Sequence, residues 1–177
     1  MSTTTSPTTP ATSGAATSWT EVGSPIGPLR LVARGGALVA IEFSPYPPAD
    51  VGPAIGERDD EEPVLVATRE QLAAYFAGER EDFDLPLAPV GTAFQQRVWT
   101  ELRGIGYGRT ASYGEVARRL GMTAAASRAV GLANGRNPIP VVVPCHRVIG
   151  ANGTLTGYAG GLERKQQLLS LEQRGLF

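Results

Sequence analysis

Ser112-Tyr113-Gly114-Glu115-Val116-Ala117-Arg118-Arg119-Leu120-Gly121-Met122-Thr123 runs directly into Ala124-Ala125-Ala126-Ser127-Arg128-Ala129-Val130-Gly131-Leu132-Ala133-Asn134-Gly135. Ser112 with Glu115 forms a capping box, in which the hydroxyl accepts from an N–H of the first turn and the carboxylate reaches back. The pattern predicts a helix that runs to Leu120 and stops at Gly121. Thr123 reads as the cap of a second helix, which reaches about Asn134 and closes at Gly135. Helix, short Gly-containing turn, helix is the helix-turn-helix pattern. On the second helix, small residues surround Arg128. A reader of base edges in the major groove needs several side chains such as Asn, Gln or Arg. Small residues instead let backbone approach backbone closely. The expectation is therefore a sequence-tolerant, minor-groove contact with duplex DNA, with Arg128 as the probe. Alanines packed in a core are the alternative.

Downstream lies Val141-Val142-Val143-Pro144-Cys145-His146-Arg147-Val148-Ile149, which holds the chain's 1 cysteine and 1 histidine. It reads as an apolar strand interrupted by reactive residues. Neighbours in a strand point to opposite faces, so Cys145 and His146 need a turn at Pro144, or a bridging water, to communicate. Thiolate is the nucleophilic form, and a free thiol is mostly protonated near neutral pH, so a base is required. His146 is the natural acceptor, oriented by a carboxylate on its other nitrogen. Glu172 is the candidate: Lys165, Leu168, Leu169 and Glu172 follow helical spacing and share a face that should be buried. A frayed terminal helix with Glu172 in water is the competing expectation. Arg147 has three open roles: the field at the thiolate, DNA, or a salt bridge to the first half.

Working outward, the 177 residues fit one or two compact units, and 42% hydrophobic content suffices for a core. No run is long and apolar enough for a transmembrane helix. With 1 Cys and 1 His, no internal disulfide and no Cys-clustered zinc site can form. The expectation is a cytoplasmic protein without metal or cofactor. The overall charge of −1 conceals a split: residues 1–90 carry 5 Arg against 13 acids, whereas residues 91–177 carry 10 Arg and Lys165 against 4 Glu. Such a basic half attracts a polyanion.

The fold expected is α+β. Residues 1–18 read as a disordered tail and not as a secretory signal. Residues 19–77 read as a small α/β domain. Leu29–Arg34 and Ala37–Phe43 form a hairpin around Gly35-Gly36, Trp19–Val22 is a third strand, and a helix runs from Pro63 to Phe76. Residues 78–90 read as an interdomain linker. Residues 91–177 read as a mostly helical domain, beginning with a helix whose Phe94, Val98 and Leu102 share a face. Gln95 and Arg97 on it are candidate phosphate contacts.

Pro144-Cys145-His146-Arg147-Val148, upstream Arg136-Asn137-Pro138 and downstream Gly157-Tyr158-Ala159-Gly160-Gly161-Leu162 together resemble the O6-alkylguanine-DNA alkyltransferases. Ser112-Tyr113-Gly114 and Ser127-Arg128-Ala129-Val130-Gly131 are also in place, so the resemblance covers about residues 91–172. It implies a ribonuclease H-like first domain and a winged-helix-like second one. It implies direct reversal of damage, in which an alkylated guanine, with O4-alkylthymine a further candidate, is flipped from duplex DNA. Cys145 would then take the alkyl group irreversibly, as a single-turnover methylated-DNA–protein-cysteine methyltransferase. In that reading His146, through a water, and Glu172 form the proton relay, and Asn137 braces the turn before the cysteine. Arg128 fills the vacated stack, with Tyr113, Gly114 and Ser127 also on the DNA. The base pocket comprises Tyr113, Val148, Tyr158, Ala159 and Gly160. The carbonyls of Cys145 and Val148 would accept from the guanine amine, and the Ala159 N–H would donate to O6. Many relatives carry Ser at position 159, so a hydroxyl contact is absent here. The protein would act as a monomer, with cooperative binding along DNA left open.

Three rival readings remain. A non-catalytic lesion binder commonly replaces the nucleophile by Trp, and Cys145 argues against it. A cysteine hydrolase would need an oxyanion hole. A helix-turn-helix regulator would be indifferent to Cys145→Ser and would usually dimerise.

Overall fold

A computed structural model describes residues 15–48 and 54–174. Its first half is a four-stranded sheet of order β3-β2-β1-β4, with β1 Thr17–Val22, β2 Leu29–Arg34, β3 Ala37–Phe43 and β4 Glu57–Arg58. β1–β2 and β2–β3 pair antiparallel, and β4 lies parallel to β1. Gly35 and Gly36 join β2 to β3 with φ of 59° and 78°. Positive φ at both central residues is what a two-residue hairpin turn needs to match the strand twist. The tail expected over residues 1–18 lies outside the described residues as far as 14. Its far end is corrected: Thr17 and Ser18 pair with Arg34 and Ala33, as rungs of the β1–β2 ladder. The two-residue β4, Glu57–Arg58, was not foreseen, because both of its residues are exposed and charged.

α1 (Pro63–Phe76) starts with Pro at its first position, where the missing N–H costs nothing. Glu62 caps it by accepting from the Leu65 N–H at 2.9 Å. Val64, Leu65, Thr68, Leu72 and Tyr75 are its buried residues, and the helix packs on β2 and β3. The segment 78–90, expected to act as a linker, is laid along β3. Leu38 N–H donates to the Pro86 carbonyl (2.8 Å) and the Ala88 N–H donates to the Leu38 carbonyl (2.9 Å).

The second half comprises α2 (Ala93–Leu102), β5 (Ala111–Ser112), α3 (Tyr113–Arg119), α4 (Ser127–Gly135), β6 (Val148–Ile149) and α5 (Leu162–Arg174). The Ser112–Glu115 capping box is present in both directions, at 3.1 and 2.7 Å. Leu120 ends α3, and Gly121 follows at φ 78°. The second helix is corrected at its start. Ala124–Ala126 form a 3-10 turn and the α-helix begins only at Ser127, because the Thr123 side chain makes no capping bond. Ala124, Ala125 and Ala129 are exposed, so they do not pack in a core. Trp99 anchors α2 to α4 by donating from its indole N–H to the Ala133 carbonyl at 2.9 Å.

One continuous apolar core runs from Leu29, Leu31 and Leu72 in the first half to Val98, Val116, Val130 and Leu168 in the second. Polar ties cross the same boundary. Ile41 N–H donates to the Pro138 carbonyl (2.9 Å). Arg164 on α5 donates to the carbonyls of Ile26 (2.8 Å) and Ser44 (2.8 Å).

Candidate active site

The cysteine stretch is not a strand. Residues 140–143 form a turn, Cys145–Arg147 form one 3-10 turn, and only Val148–Ile149 are extended, paired parallel with Ala111–Ser112. Prolines at 138, 140 and 144 each remove a backbone donor and so break any ladder. Asn137 supplies the replacement bonds. Its amide N–H donates to the Val143 carbonyl (2.8 Å), and its oxygen accepts from the Ile139 N–H (3.0 Å). Inside this brace Val141 sits at φ 72°, a costly conformation for a β-branched residue. Such strain persists only where the surroundings over-determine it.

The brace delivers Cys145, His146 and Arg147 to one buried cluster, and α5 brings Glu172 to meet them. His146 Nε2 lies 2.7 Å from Glu172 Oε1. Arg147 grips the same carboxylate, with Nε 3.0 Å from Oε2 and Nη2 2.9 Å from Oε1, while its Nη1 donates to the Ile105 carbonyl at 2.6 Å. Tyr75 on α1 donates its hydroxyl to Oε1 at 2.7 Å. Glu172 is 0% exposed, so the frayed-helix expectation is overturned. Of the three roles open for Arg147, the geometry assigns it a salt bridge, but within the second half, to Glu172.

The charges follow from this packing. Burial alone would raise the Glu172 carboxyl, but hydrogen bonds from His146 and Arg147 prevail and bring it down to about 2. Burial lowers the basicity of His146 against the pull of Glu172. Burial pushes the Cys145 thiol up to about 11, opposed by the Asn137 side chain and the Lys165 ammonium. At neutral pH the resting thiol is thus protonated. The other His146 nitrogen, Nδ1, is buried and has no hydrogen-bond partner among the described residues.

An open groove of about 500 Å³ is lined by Tyr113, Arg128, Leu132, Thr156, Tyr158 and Ala159, among others, and none of Cys145, His146, Arg147 and Glu172 lines it. Ser127 also lines it, and Arg128 is exposed. The groove thus joins α3, α4 and the 156–159 loop. Tyr113 and Thr156 hydroxyls lie 2.9 Å apart across it. Gly114 is a packing position: a Cβ there would meet Ser127 Oγ at 3.5 Å and Ala124 at 3.8 Å. Gly160 packs under an aromatic, where a Cβ would stand 2.9 Å from the Phe43 ring. Gln95, a candidate phosphate contact, also has a local role. Its side-chain oxygen closes the Thr92 capping box of α2, accepting from the Thr92 N–H at 2.9 Å. The Val148 carbonyl accepts from Lys165 Nζ at 2.6 Å, which leaves it one lone pair. The Cys145 carbonyl accepts from the Val148 N–H and, at 3.4 Å, from Asn134, which occupies both of its acceptor sites. Among the described residues no three His, Cys, Asp or Glu side chains group to hold a metal ion. Nor is any helix there long and apolar enough to cross a membrane.

Residues 18–89 match the family described as 6-O-methylguanine DNA methyltransferase, ribonuclease-like domain, and residues 93–174 match its DNA binding domain. The chain belongs to this methyltransferase family. The methylated-DNA–protein-cysteine methyltransferase of Mycolicibacterium paratuberculosis is 52% identical over 155 residues, which is 86% of this chain and 90% of that one. The protein of the same name from Methanosarcina acetivorans is 52% identical over 149 residues, 84% of this chain and 94% of its own. The crystal structure of Mycobacterium tuberculosis OGT in complex with DNA superposes with a TM-score of 0.81 at 47% identity, covering 89% of this chain and 94% of that one. The methyltransferase family's two matched regions meet at Glu172, since Tyr75 belongs to the first and His146 and Arg147 to the second. Sequence reasoning missed Tyr75, whose helical position reads equally well as plain core.

Proposed function

We propose that this protein reverses O6-alkylguanine damage in duplex DNA by moving the alkyl group irreversibly to Cys145. The observation that carries the reading is the chain's single cysteine, buried and next in sequence to His146 of the buried His146–Glu172 pair, in a member of this family. The basic second half attracts the duplex. The small residues of α4 let it approach the minor groove, where Arg128 takes the place of the extruded base. Tyr113, Tyr158 and Ala159 receive the flipped guanine in the groove they line. A backbone N–H at Ala159 donates to O6, and the free lone pair of the Val148 carbonyl accepts from the exocyclic amine.

Cys145 Sγ attacks the O6 alkyl carbon in line. The S–C bond forms, the C–O bond breaks, and the guanine leaves with the bonding pair and gains a proton as it returns to its amide form. The thiol proton departs through a water to His146 Nδ1, while Glu172 steadies the imidazolium on Nε2. A resting thiol near 11 suits this order: the nucleophile is released only when the relay and the lesion are both in place. No group here hydrolyses a thioether, so each molecule reacts once. We further propose that the protein works as a cytoplasmic monomer without metal or cofactor, through units of residues 19–77 and 91–177 joined by 78–90.

The test is intact mass after incubation with a duplex carrying one O6-methylguanine. A gain of one methyl group, about 14 Da, on Cys145, with guanine restored in equal amount, is the expected result. Tight lesion binding with no mass change would mean a recognition protein instead.

A further inference from the structure

We propose that Tyr75, on α1 of the first domain, is a positioning residue for the alkyl-acceptor relay: its hydroxyl, 2.7 Å from Glu172 Oε1, holds that carboxylate on His146. The inference rests on the reading of Cys145, His146 and Glu172 as that relay.

Three donors compete for Oε1: Tyr75 at 2.7 Å, His146 at 2.7 Å and Arg147 at 2.9 Å. They are unequal. Arg147 is a permanent cation that also bonds Oε2 at 3.0 Å, and a two-pronged, charge-assisted grip is the strongest available to a carboxylate. A neutral imidazole is the weakest rival for the shared oxygen. Left to these two, the carboxylate turns toward the guanidinium and slackens on His146. A less firmly held His146 is less basic, and it takes the thiol proton less readily.

Tyr75 is built to prevent this. Its side chain is 0% exposed, and its ring is wedged edge-on against Phe76 (5.2 Å) and Tyr107 (6.2 Å), with Phe83 at 5.4 Å. The hydroxyl is therefore a fixed point in space. Burial and the charge of Glu172 hold the phenol far above its ordinary range, so it remains a donor at every working pH. Tyr107, which meets Tyr75 edge-on, also lies under the Arg147 guanidinium at 5.8 Å. The two competing donors are thus held against a common ring. In this arrangement the first domain, which carries neither the cysteine nor the histidine, completes the relay.

The experiment compares wild type and Tyr75→Phe in the rate of Cys145 alkylation by free O6-benzylguanine, from pH 6 to pH 10. The free base removes DNA binding from the comparison. We expect Tyr75→Phe to be about tenfold slower at pH 7. The gap should close toward pH 10, where hydroxide takes the thiol proton without help. In a Glu172→Gln background, Tyr75→Phe should add nothing. A rate ratio that is constant with pH, or a full additional loss in the Glu172→Gln background, overturns the inference and leaves Tyr75 as packing. If Tyr75→Phe does not fold, 3-fluorotyrosine at position 75 keeps the ring and makes its hydroxyl a stronger donor. An altered ratio at low pH then supports the inference, and an unaltered one overturns it. Wild type that fails to alkylate at Cys145 rejects the parent reading. Reactive wild type beside an indifferent Tyr75→Phe rejects only this inference.

Discussion

His146 Nε2 and Glu172 Oε1 stand 2.7 Å apart although 26 positions separate them in the chain, and neither side chain is exposed. A buried carboxylate must be matched by donors, and the match is also a dependence on pH. Glu172 falls from an ordinary 4.5 to about 2 in the fold. A depressed carboxyl stabilises the native state above its unfolded value, and that contribution is lost as pH falls toward the folded value. Between about pH 5 and pH 2 the wild type should lose about 3 kcal/mol of stability through this group. Urea unfolding across that window should show the slope in wild type. In Glu172→Gln most of it should be missing.

Glu172→Gln should also be costly at neutral pH. It leaves Arg147 buried and deprived of its counter-charge, a change that typically destabilises by about 3–5 kcal/mol. Alkylation by O6-benzylguanine should slow in the folded fraction. A variant as stable and as reactive as wild type would place Glu172 outside the relay.

Cys145→Ser should abolish alkyl transfer and leave lesion binding intact, because the substitution removes only the nucleophile. Intact mass and a gel-shift titration with the O6-methylguanine duplex would read the two properties separately. Any methyl gain in Cys145→Ser would refute the assignment.

Arg128 is exposed on α4 and lines the groove, so Arg128→Ala should leave the fold untouched. Extruding a base costs a few kcal/mol, and the lost probe should slow repair in duplex by roughly thirtyfold. Reaction with free O6-benzylguanine should be nearly unchanged. Equal losses on both substrates would remove Arg128 from the stack.

Ser112→Ala deletes one half of the α3 capping box, whose hydroxyl accepts from the Glu115 N–H at 3.1 Å. The expected loss is about 1 kcal/mol, or roughly 2–4 °C in Tm for a chain of this size. Calorimetry would measure it directly, and the free-base alkylation rate should not move.

Local rules carried the reading far where the determinants are local. The capping box at Ser112, the stop at Gly121, the Pro63 start and the Gly35-Gly36 turn all act within a few residues, and each appears where expected. Glu172 was also legible, because a carboxylate on the same helical face as Leu168 and Leu169 demands a partner. Val141–Val143 misled, since three β-branched residues signal a strand while the decisive bonds come from Asn137, a side chain upstream. The three alanines before Ser127 favour an α-helix by propensity, but without a capping side chain they settle into a 3-10 turn. Tyr75 was beyond reach: its partner lies 97 residues away, and only the packed fold brings the hydroxyl to the carboxylate.

Arg164 ties α5 to the carbonyls of Ile26 and Ser44, and β3 is stitched to residue 138 through the Ile41 N–H. The two halves cannot rock against each other without rupturing several hydrogen bonds at once. For the reaction proposed above, the protein's own surface is therefore already set. Whatever deformation recognition requires falls on the DNA, and a stiff duplex resists this protein more than a pliant or mispaired one. Damage that loosens the helix thereby selects itself, before any atom of the alkyl group is read.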